Sequence, residues 1–208
     1  MKIQAVIFDF GRVICDFDIG KFITRAAAHS ALSPAALDET MAASMEMART
    51  YETGLMSSRD FYMNVSRIAS LSMSEQDFAA AYTDIFTPKP ETFALVKQLK
   101  VRYRLGLLSN TNDLHYRFGI RTVEIFPLFD AVTLSFEVRA MKPDRKIYAD
   151  MLTKLALPAR ACVYIDDIAE YAAAGRSAGL KSIHYTTHEK LIEDLTKAGV
   201  EFPPPLTH

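Results

Sequence analysis

The sequence has few cysteines and almost no net charge, and it contains no long hydrophobic run. Its two cysteines, Cys15 and Cys162, both adjoin apolar segments. This is typical of buried, reduced thiols in a cytoplasmic protein, although a disulfide between them stays open. Lysine and arginine number 24 against 25 acidic residues, which predicts neither a nucleic-acid partner nor an anionic membrane partner. The apolar stretches are shorter than the ~20 residues of a membrane span, and the first is too short for a secretory signal.

The first apolar segment, residues 3–8, leads directly into Asp9 and Gly11. Its length and β-branched residues predict a central strand of a parallel sheet. A carboxylate is costly to bury without a partner. Asp9 therefore indicates either a ligand site at the carboxyl end of this strand or a simple cap of the next loop. With 208 residues, half of them hydrophobic, the chain can form one α/β domain with an insertion or two small domains.

Residues 17–87 read as an all-helical block. Apolar spacing and N-cap residues predict helices at 19–31, 35–50, 58–68 and 75–86. Met41, Met45 and Met47 are expected to fill the core between these helices, and a partner-binding stripe is the alternative. The prolines at 88 and 90 end the block.

Helix and strand patterns alternate after residue 90. Helices are predicted at 91–100, 112–118, 146–155 and 168–178, and strands at 105–108, 131–135, 161–165 and 182–185. This alternation predicts an α/β fold with a doubly wound, Rossmann-like, mostly parallel sheet. We predict a discontinuous core domain, residues 1–16 and 88–208, with an all-helical domain of residues 17–87 inserted after the first strand. The proline-rich segment 202–205 is predicted to be extended.

Polar side chains follow four of the apolar segments, and a parallel sheet would bring them to one edge. They are Asp9; Ser109, Asn110 and Thr111; Lys142; and the adjacent pair Asp166 and Asp167. Paired carboxylates repel each other, and Mg²⁺ relieves that repulsion while binding phosphate. Hydroxyl, amide and ammonium groups hold phosphate oxygens, and a carboxylate can attack phosphorus. The set predicts phosphoryl transfer, although each residue alone could be an N-cap or a solvated charge.

The order of these motifs resembles that of the haloacid dehalogenase superfamily of hydrolases along the whole chain. The matching segments are VIFDFGRV at 6–13, LLSNT at 107–111, MKP at 141–143 and VYIDD at 163–167. Within that superfamily, the chain looks like the sugar-phosphatase and epoxide-hydrolase-associated phosphatase branch. The resemblance implies a helical cap inserted into the α/β core. It also implies a Mg²⁺-dependent phosphatase acting on a small phosphorylated metabolite, with a sugar phosphate as one candidate.

The resemblance also implies roles for the motif residues. Asp9 is expected to be the nucleophile, and Lys142 is expected to assist catalysis. The Mg²⁺ ligands are expected at the ends of the first and last motif strands: the carboxylates of Asp9, Asp166 and Asp167 and the backbone carbonyl of Gly11. The phosphoryl group is expected to be held by polar residues of the middle motifs: Ser109, Asn110 and Lys142. The expected protein is a cytoplasmic monomer or homodimer.

Two positions depart from the family pattern. Gly11 stands where phosphatases of this superfamily usually carry a second aspartate, a general acid and base of a kind that contributes about 10²–10⁴-fold in rate. Asp16 or Asp18 could replace it, or could be solvated charges at the hinge. Tyr171 stands where relatives often have asparagine, which orients the neighbouring loop.

The sequence leaves two interpretations open for several residues near the motifs. Arg12 could contact phosphate or pair with a carboxylate. The turn at 52–54 could reach the substrate or simply join two helices. His115 and Tyr116 could line a pocket, although a core or surface role is favoured.

Two alternative functions stay open. A 2-haloacid dehalogenase would use Asp9 through an ester intermediate and would need neither a metal nor a leaving-group acid. That explains Gly11 but gives no purpose to Asp166 and Asp167. The other alternative is a catalytically weak member of the fold that binds a phosphate ligand or a protein.

Overall fold

A computed structural model describes residues 2–203. Met1 and residues 204–208 lie outside the described residues, and with them the end of the predicted extended segment. The strands are β1 (Ala5–Phe8), β2 (Cys15–Phe17), β3 (Phe86–Pro88), β4 (Arg104–Ser109), β5 (Ala131–Leu134), β6 (Cys162–Asp166) and β7 (Lys181–His184). The helices are α1 (Ile19–Ala27), α2 (Pro34–Ala43), α3 (Met45–Glu52), α4 (Ser58–Ile68), α5 (Glu75–Thr83), α6 (Pro90–Lys100), α7 (Asp113–Phe118), α8 (Ser135–Val138), α9 (Arg145–Leu155), α10 (Ala169–Ser177) and α11 (His188–Ala198).

The main sheet of the described chain has five parallel strands in the order β5-β4-β1-β6-β7. From β1 the chain builds one side of the sheet through β4 and β5, and it then crosses to β6 and β7 on the other side. The strand order therefore reverses beside β1, where open α/β sheets bind ligands. All four residues of β1 are buried, and Asp9 follows them. The predicted doubly wound, mostly parallel α/β fold is confirmed.

Helices cover both faces of this sheet. On one face, leucines of α6 and α11, such as Leu99 and Leu195, pack with Phe8 of β1. On the other face, Ile147 and Met151 of α9 pack with Ile7. Alternate residues of β1 thus face opposite layers, as the pleat of a strand requires. The two layers leave the carboxyl ends of the strands free to carry polar side chains.

Helices α1 to α5 pack around a hydrophobic cluster of their own, which includes Phe22, Leu37, Phe61 and Phe78. Three of these helices begin at serines whose side chains accept hydrogen bonds from the first-turn backbone, namely Ser33, Ser57 and Ser74. These N-caps match the sequence pattern. The proposed division into a core domain and a helical domain stays a prediction. None of the helices in residues 2–203 is both long and apolar enough to cross a membrane.

Several predicted bounds were wrong. Phe17 and Phe86 pair across a small antiparallel ribbon, β2–β3, so the block 17–87 is not helical throughout. The predicted helix 35–50 is two helices, because the Ser44 backbone, with φ of −96° and ψ of 14°, leaves the helical conformation. Met45 is 69% exposed at that break and fills no core.

The end of the strand predicted at 131–135 was also misplaced, and two helices, α8 and α11, were missed. The strand stops at Leu134, and Ser135 begins the short helix α8. Helix α11 follows the last strand and had no counterpart in the prediction.

Helices α3 to α5 contact α7, the helix that follows the second motif. The Tyr51 hydroxyl accepts a hydrogen bond from the Leu114 backbone N–H (3.1 Å). The Tyr82 ring stacks on His115 with ring centroids 4.3 Å apart. His115 donates through Nε2 to the Tyr82 carbonyl (3.1 Å), and its Nδ1 accepts from the Asn112 amide (3.1 Å). His115 is therefore a contact between α5 and α7, as the favoured core role predicts.

This contact predicts a dependence of stability on pH. Burial lowers the pKa of His115 from 6.5 to about 4, with the Tyr82 carbonyl opposing the shift. The unfolded chain therefore takes up a proton before the folded one as the pH falls. The contribution of His115 to the free energy of unfolding is therefore complete above pH 6.5. It is lost progressively as the pH falls from 6.5 to about 4. At pH 5 the loss is about 2 kcal/mol.

Urea unfolding of wild type and His115→Gln at pH 7 and pH 5 measures this effect. The variant is expected to lose about 2 kcal/mol less than wild type between the two pH values. A variant of exposed His29, His29→Gln, serves as the matched control and should follow wild type. Equal losses in wild type and His115→Gln would show that His115 is not held neutral.

Candidate active site

Lys142 lies between two carboxylates at the edge where β1 and β6 end. Its Nζ is 2.8 Å from Asp9 Oδ1 and 2.7 Å from Asp166 Oδ2, and its side chain is only 1% exposed. Burial alone lowers the pKa of Lys142, but the two carboxylates outweigh burial and raise it. The ammonium group therefore stays charged. The fold thus brings together three residues that are far apart in sequence.

Asp166 is held by three hydrogen-bond donors. Its Oδ1 accepts from the Ile168 backbone N–H (2.8 Å), and its Oδ2 accepts from Lys142 and from the hydroxyl of Tyr164. Tyr164 lies two residues earlier in β6, so its side chain is on the same face of the strand. Burial, together with the charge of Asp166, raises the pKa of Tyr164, so the phenol remains a donor. Sequence reasoning missed Tyr164, and the only signal was a tyrosine in a buried aliphatic strand.

The carboxylates of Asp9, Asp166 and Asp167 form a group that fits a metal ion. Each offers an oxygen, and these oxygens all lie within 4.8 Å of one another. Burial raises the pKa of Asp9 against the opposing charge of Lys142, and Asp166 and Asp167 raise it further. Burial and Asp166 likewise raise the pKa of Asp167. The single ammonium group of Lys142 does not neutralise three carboxylates, so negative charge remains in the site. A hard divalent cation that prefers oxygen ligands suits this set.

The Gly11 carbonyl already has one hydrogen-bond partner. It accepts from the Val13 backbone N–H (2.7 Å). A carbonyl oxygen has two lone pairs, so one remains for a metal. The predicted role of this carbonyl as a ligand stays a prediction.

Asn110 links the second motif to the Lys142 loop. Its Oδ1 accepts from the Lys142 backbone N–H (2.8 Å), and its Nδ2 donates to the Lys142 carbonyl (3.2 Å). Ser109, at the end of β4, is buried beside it and contacts the Asn110 carbonyl (3.3 Å). Asn110 therefore positions the lysine loop. The predicted phosphate-binding roles of Ser109 and Asn110 stay predictions.

Tyr171 supports the lysine with its aromatic face. The Lys142 ammonium lies 5.1 Å from the centre of the Tyr171 ring, which is within the range of a cation–π interaction. The Tyr171 carbonyl accepts from the Tyr148 hydroxyl (2.9 Å). An aromatic ring thus stands where relatives often have an amide.

The loop after Asp9 places an arginine and a phenylalanine around Gly11. Arg12 has a left-handed backbone, with φ of 55°, and its Nε is 4.0 Å from Asp167 Oδ2. Its guanidinium lies 5.2 Å from the centre of the Phe17 ring. The structure shows the carboxylate contact of Arg12, and a contact with phosphate stays open. The Arg12 side chain is 63% exposed, so the ion pair is weak.

Asp16 and Asp18, near the start of the helical block, each have a partner. Asp16 pairs with Lys89 (3.3 Å) across the β2–β3 ribbon. Asp18 caps α1 by accepting a hydrogen bond from the Gly20 backbone (2.8 Å). Both positions agree with the interpretation as hinge charges.

The turn at 52–54 lies against the core next to the second motif. Ser135 donates to the Glu52 carbonyl (2.6 Å) and accepts from the Thr111 backbone N–H (2.9 Å). Gly54 has φ of 71°, and a Cβ atom there would lie 2.0 Å from the Phe136 carbonyl oxygen. Only glycine fits such a close approach in that conformation. The turn therefore docks on the core, and its reach toward a substrate stays open.

Comparison with known proteins gives a consistent picture. The model of the haloacid dehalogenase-like hydrolase family matches residues 3–179. The phosphatase MT3486 of Mycobacterium tuberculosis (strain CDC 1551 / Oshkosh) is 27% identical over 127 residues. The aligned part is 59% of this chain and 56% of that protein, so the match spans little more than half of the relative's length.

Solved structures share the fold at low identity. The HAD family enzyme BT-2542 of Bacteroides thetaiotaomicron has a TM-score of 0.75 at 20% identity, covering 89% of this chain and 95% of that one. The L-2-haloacid dehalogenase RSc1362 has a TM-score of 0.60 at 19% identity, covering 88% of this chain and 86% of that one. The family match takes in all four motifs, from Asp9 to Asp167. The resemblance seen in the sequence is confirmed, and the chain belongs to the haloacid dehalogenase-like hydrolase family.

Proposed function

We propose that this protein is a Mg²⁺-dependent phosphatase that hydrolyses a small phosphorylated metabolite through an aspartyl-phosphate on Asp9. One observation carries the proposal. A nucleophile candidate, Asp9, lies 2.8 Å from a buried ammonium group and within 4.8 Å of two further carboxylates. Displacement of halide from carbon needs no metal, whereas a metal-assisted phosphoryl transfer needs such a group of carboxylates.

The descriptions of two similar proteins support the proposal. BT-2542 was crystallised in complex with magnesium and inorganic phosphate, with a TM-score of 0.72 to this chain. The mycobacterial relative is named a phosphatase. Neither name identifies a substrate, so the sugar phosphate stays one candidate.

The residues of this chain have distinct parts in the proposed reaction. Asp9 attacks phosphorus, and Lys142 neutralises the negative charge that the nucleophile and phosphoryl group bring together. Ser109 and Asn110 are proposed to donate hydrogen bonds to phosphoryl oxygens. Mg²⁺, held by the four ligand residues predicted from the sequence, would neutralise phosphoryl charge in the transition state.

The helical block is proposed to act as a cap over this site. Its contacts with α7 and α8 place it next to the second motif, where a cap would exclude water and select substrates. The proposed core domain comprises residues 1–16 and 88–208, and the proposed cap comprises residues 17–87. A cytoplasmic location and a monomeric or dimeric state stay predictions.

Phosphate release from a panel of phosphorylated metabolites, with and without Mg²⁺, tests the function. The proposal predicts turnover that EDTA abolishes and added Mg²⁺ restores. Tight ligand binding without turnover across the panel would instead favour a binding protein.

One observation favours the 2-haloacid dehalogenase as a second candidate. Gly11 provides no general acid, and displacement of halide from carbon needs none. Halide release from 2-haloacids that persists in EDTA would make dehalogenation the better account.

A further inference from the structure

We infer that this site acts on phosphoryl compounds whose leaving group is stable as an anion, such as acyl, enol, aryl and anomeric phosphates. Primary-alcohol phosphates would be poor substrates. The inference rests on the proposed phosphatase function and defines its substrate class. Its basis is the geometry next to Asp9: position 11 has no side chain and faces a phenyl ring, and the Lys142 ammonium and the Tyr164 hydroxyl both donate to carboxylates.

The first argument concerns the surroundings of Gly11. A Cβ atom added there would lie 3.2 Å from Phe17 Cε1, so a phenyl ring faces the position from which an acid would project. The guanidinium of Arg12 lies over the same ring. A phenyl ring has no proton to give, and arginine keeps its proton at any ordinary pH. This side of the nucleophile is therefore apolar and cationic.

The second argument concerns the groups in the site that do carry protons. Tyr164 donates its hydroxyl to Asp166. The Lys142 ammonium group donates to two carboxylates, with Nζ 2.8 Å from Asp9 Oδ1 and 2.7 Å from Asp166 Oδ2. These two contacts engage the ammonium group and hold it in the ion pair. Each of these groups stabilises the site and leaves the leaving group unprotonated.

The third argument concerns Glu52, a buried carboxyl on the docked turn. Burial raises its pKa to about 7, and Arg49 opposes the shift. The Glu52 backbone carbonyl accepts a hydrogen bond from Ser135, which fixes the turn against α8. In residues 2–203 the hydrogen bonds and ion pairs of Asp9 and Lys142 do not include the Glu52 carboxyl. A Glu52→Gln variant tests whether this carboxyl protonates the leaving group.

The reaction balances without a protein acid. An Asp9 carboxylate oxygen bonds to phosphorus, the bond from phosphorus to the leaving oxygen breaks, and its electron pair departs with that oxygen. The resulting anion takes its proton from bulk water. In the second step a water oxygen bonds to phosphorus, and the electron pair of the broken bond returns to the Asp9 carboxylate. One proton stays on the water oxygen, and the other passes to a phosphoryl oxygen.

A series of aryl phosphates with leaving groups from 4-nitrophenol to phenol, extended to an alkyl phosphate, tests the inference in the Mg²⁺-loaded wild type. The readout is kcat/KM, which reports the steps up to the first irreversible bond cleavage. We expect kcat/KM to fall steeply with rising leaving-group pKa, by about 10²-fold or more from the best aryl to the alkyl ester. A flat dependence with clear turnover would overturn the inference and leave the phosphatase function standing. No turnover of any member with Mg²⁺ would overturn both.

Three variants sharpen the test. Gly11→Asp supplies an acid and is expected to raise kcat/KM mainly for the poor leaving groups, which flattens the dependence. Gly11→Asn introduces a side chain of the same shape as aspartate but without an acidic proton. Its kcat/KM should therefore still fall steeply with rising leaving-group pKa. Glu52→Gln should leave the dependence unchanged, and a steeper slope in this variant would identify Glu52 as the acid and overturn the inference. If the Phe17 ring cannot move to accommodate a side chain at position 11, the dependence of kcat/KM on leaving-group pKa in wild type and in Glu52→Gln still tests the inference.

Discussion

Replacing Asp9 by asparagine is expected to lower kcat by about 10⁴-fold or more, which is the scale seen when a catalytic nucleophile is removed. Asparagine keeps the shape of the side chain but cannot attack phosphorus as a carboxylate. Steady-state phosphate release in saturating Mg²⁺ measures the effect. Activity within about tenfold of wild type would show that Asp9 is not the nucleophile.

The loss in Asp9→Asn should come without loss of folding. Burial and two neighbouring carboxylates raise the pKa of Asp9, so its charge is unfavourable in the folded state. Removing that charge is expected to leave thermal stability unchanged or higher in the absence of Mg²⁺. Asp84→Asn is a matched control, because Asp84 is 62% exposed on the helical block and its exposed ion pair with Arg25 contributes under about 1 kcal/mol. It should match wild type in both measurements.

Replacing Lys142 by methionine is expected to lower the free energy of unfolding by about 3–5 kcal/mol, because it leaves two buried carboxylates without their counter-charge. Methionine keeps most of the side-chain volume, so packing alone contributes little. The Nζ contacts of 2.8 and 2.7 Å to Asp9 and Asp166 are the interactions removed. Urea unfolding without metal measures the change, and phosphatase activity should be lost as well.

A surface pair provides the comparison for this effect. Lys97 bonds Glu124 at 2.7 Å, but the side chains are 42% and 70% exposed, so Lys97→Met is expected to cost under about 1 kcal/mol. Saturating Mg²⁺ should stabilise Lys142→Met, because a ligand at 100 times its Kd adds about 2.7 kcal/mol. A Lys142→Met protein as stable as Lys97→Met would contradict the buried ion-pair account.

The candidate site could be predicted from sequence because its residues sit at strand ends. Asp9 and Asp166 each follow an apolar run, and a parallel sheet necessarily brings such ends to one edge. The support for the site could not be predicted in the same way. Tyr164 acts through a contact within one strand face, and Asn110 acts through the backbone of a loop 32 residues later. Neither contact leaves a pattern in the sequence.

The errors in the fold have similar physical causes. The β2 and β3 strands have three residues each, too few to show an alternating pattern. The break at Ser44 is not marked by proline or glycine, the residues that usually signal the end of a helix. The contacts of α3 to α5 with α7 are set by tertiary packing. Local signals therefore located the motifs and most of the longer elements, while long-range contacts fixed how the helical block docks.

The central claim is that Asp9 carries the phosphoryl group, and trapping that intermediate tests it most directly. Gly11 has no side chain that could activate the attacking water, so hydrolysis of the aspartyl-phosphate should be slow. The aspartyl-phosphate should therefore accumulate during turnover of a reactive aryl phosphate with Mg²⁺. We predict that acid quench, proteolysis and mass spectrometry will find one phosphoryl group on the peptide that contains Asp9. The same peptide from Asp9→Asn should be unmodified. A phosphoryl group on another residue, or phosphate release with no protein-bound phosphoryl group at any time point, would contradict the account.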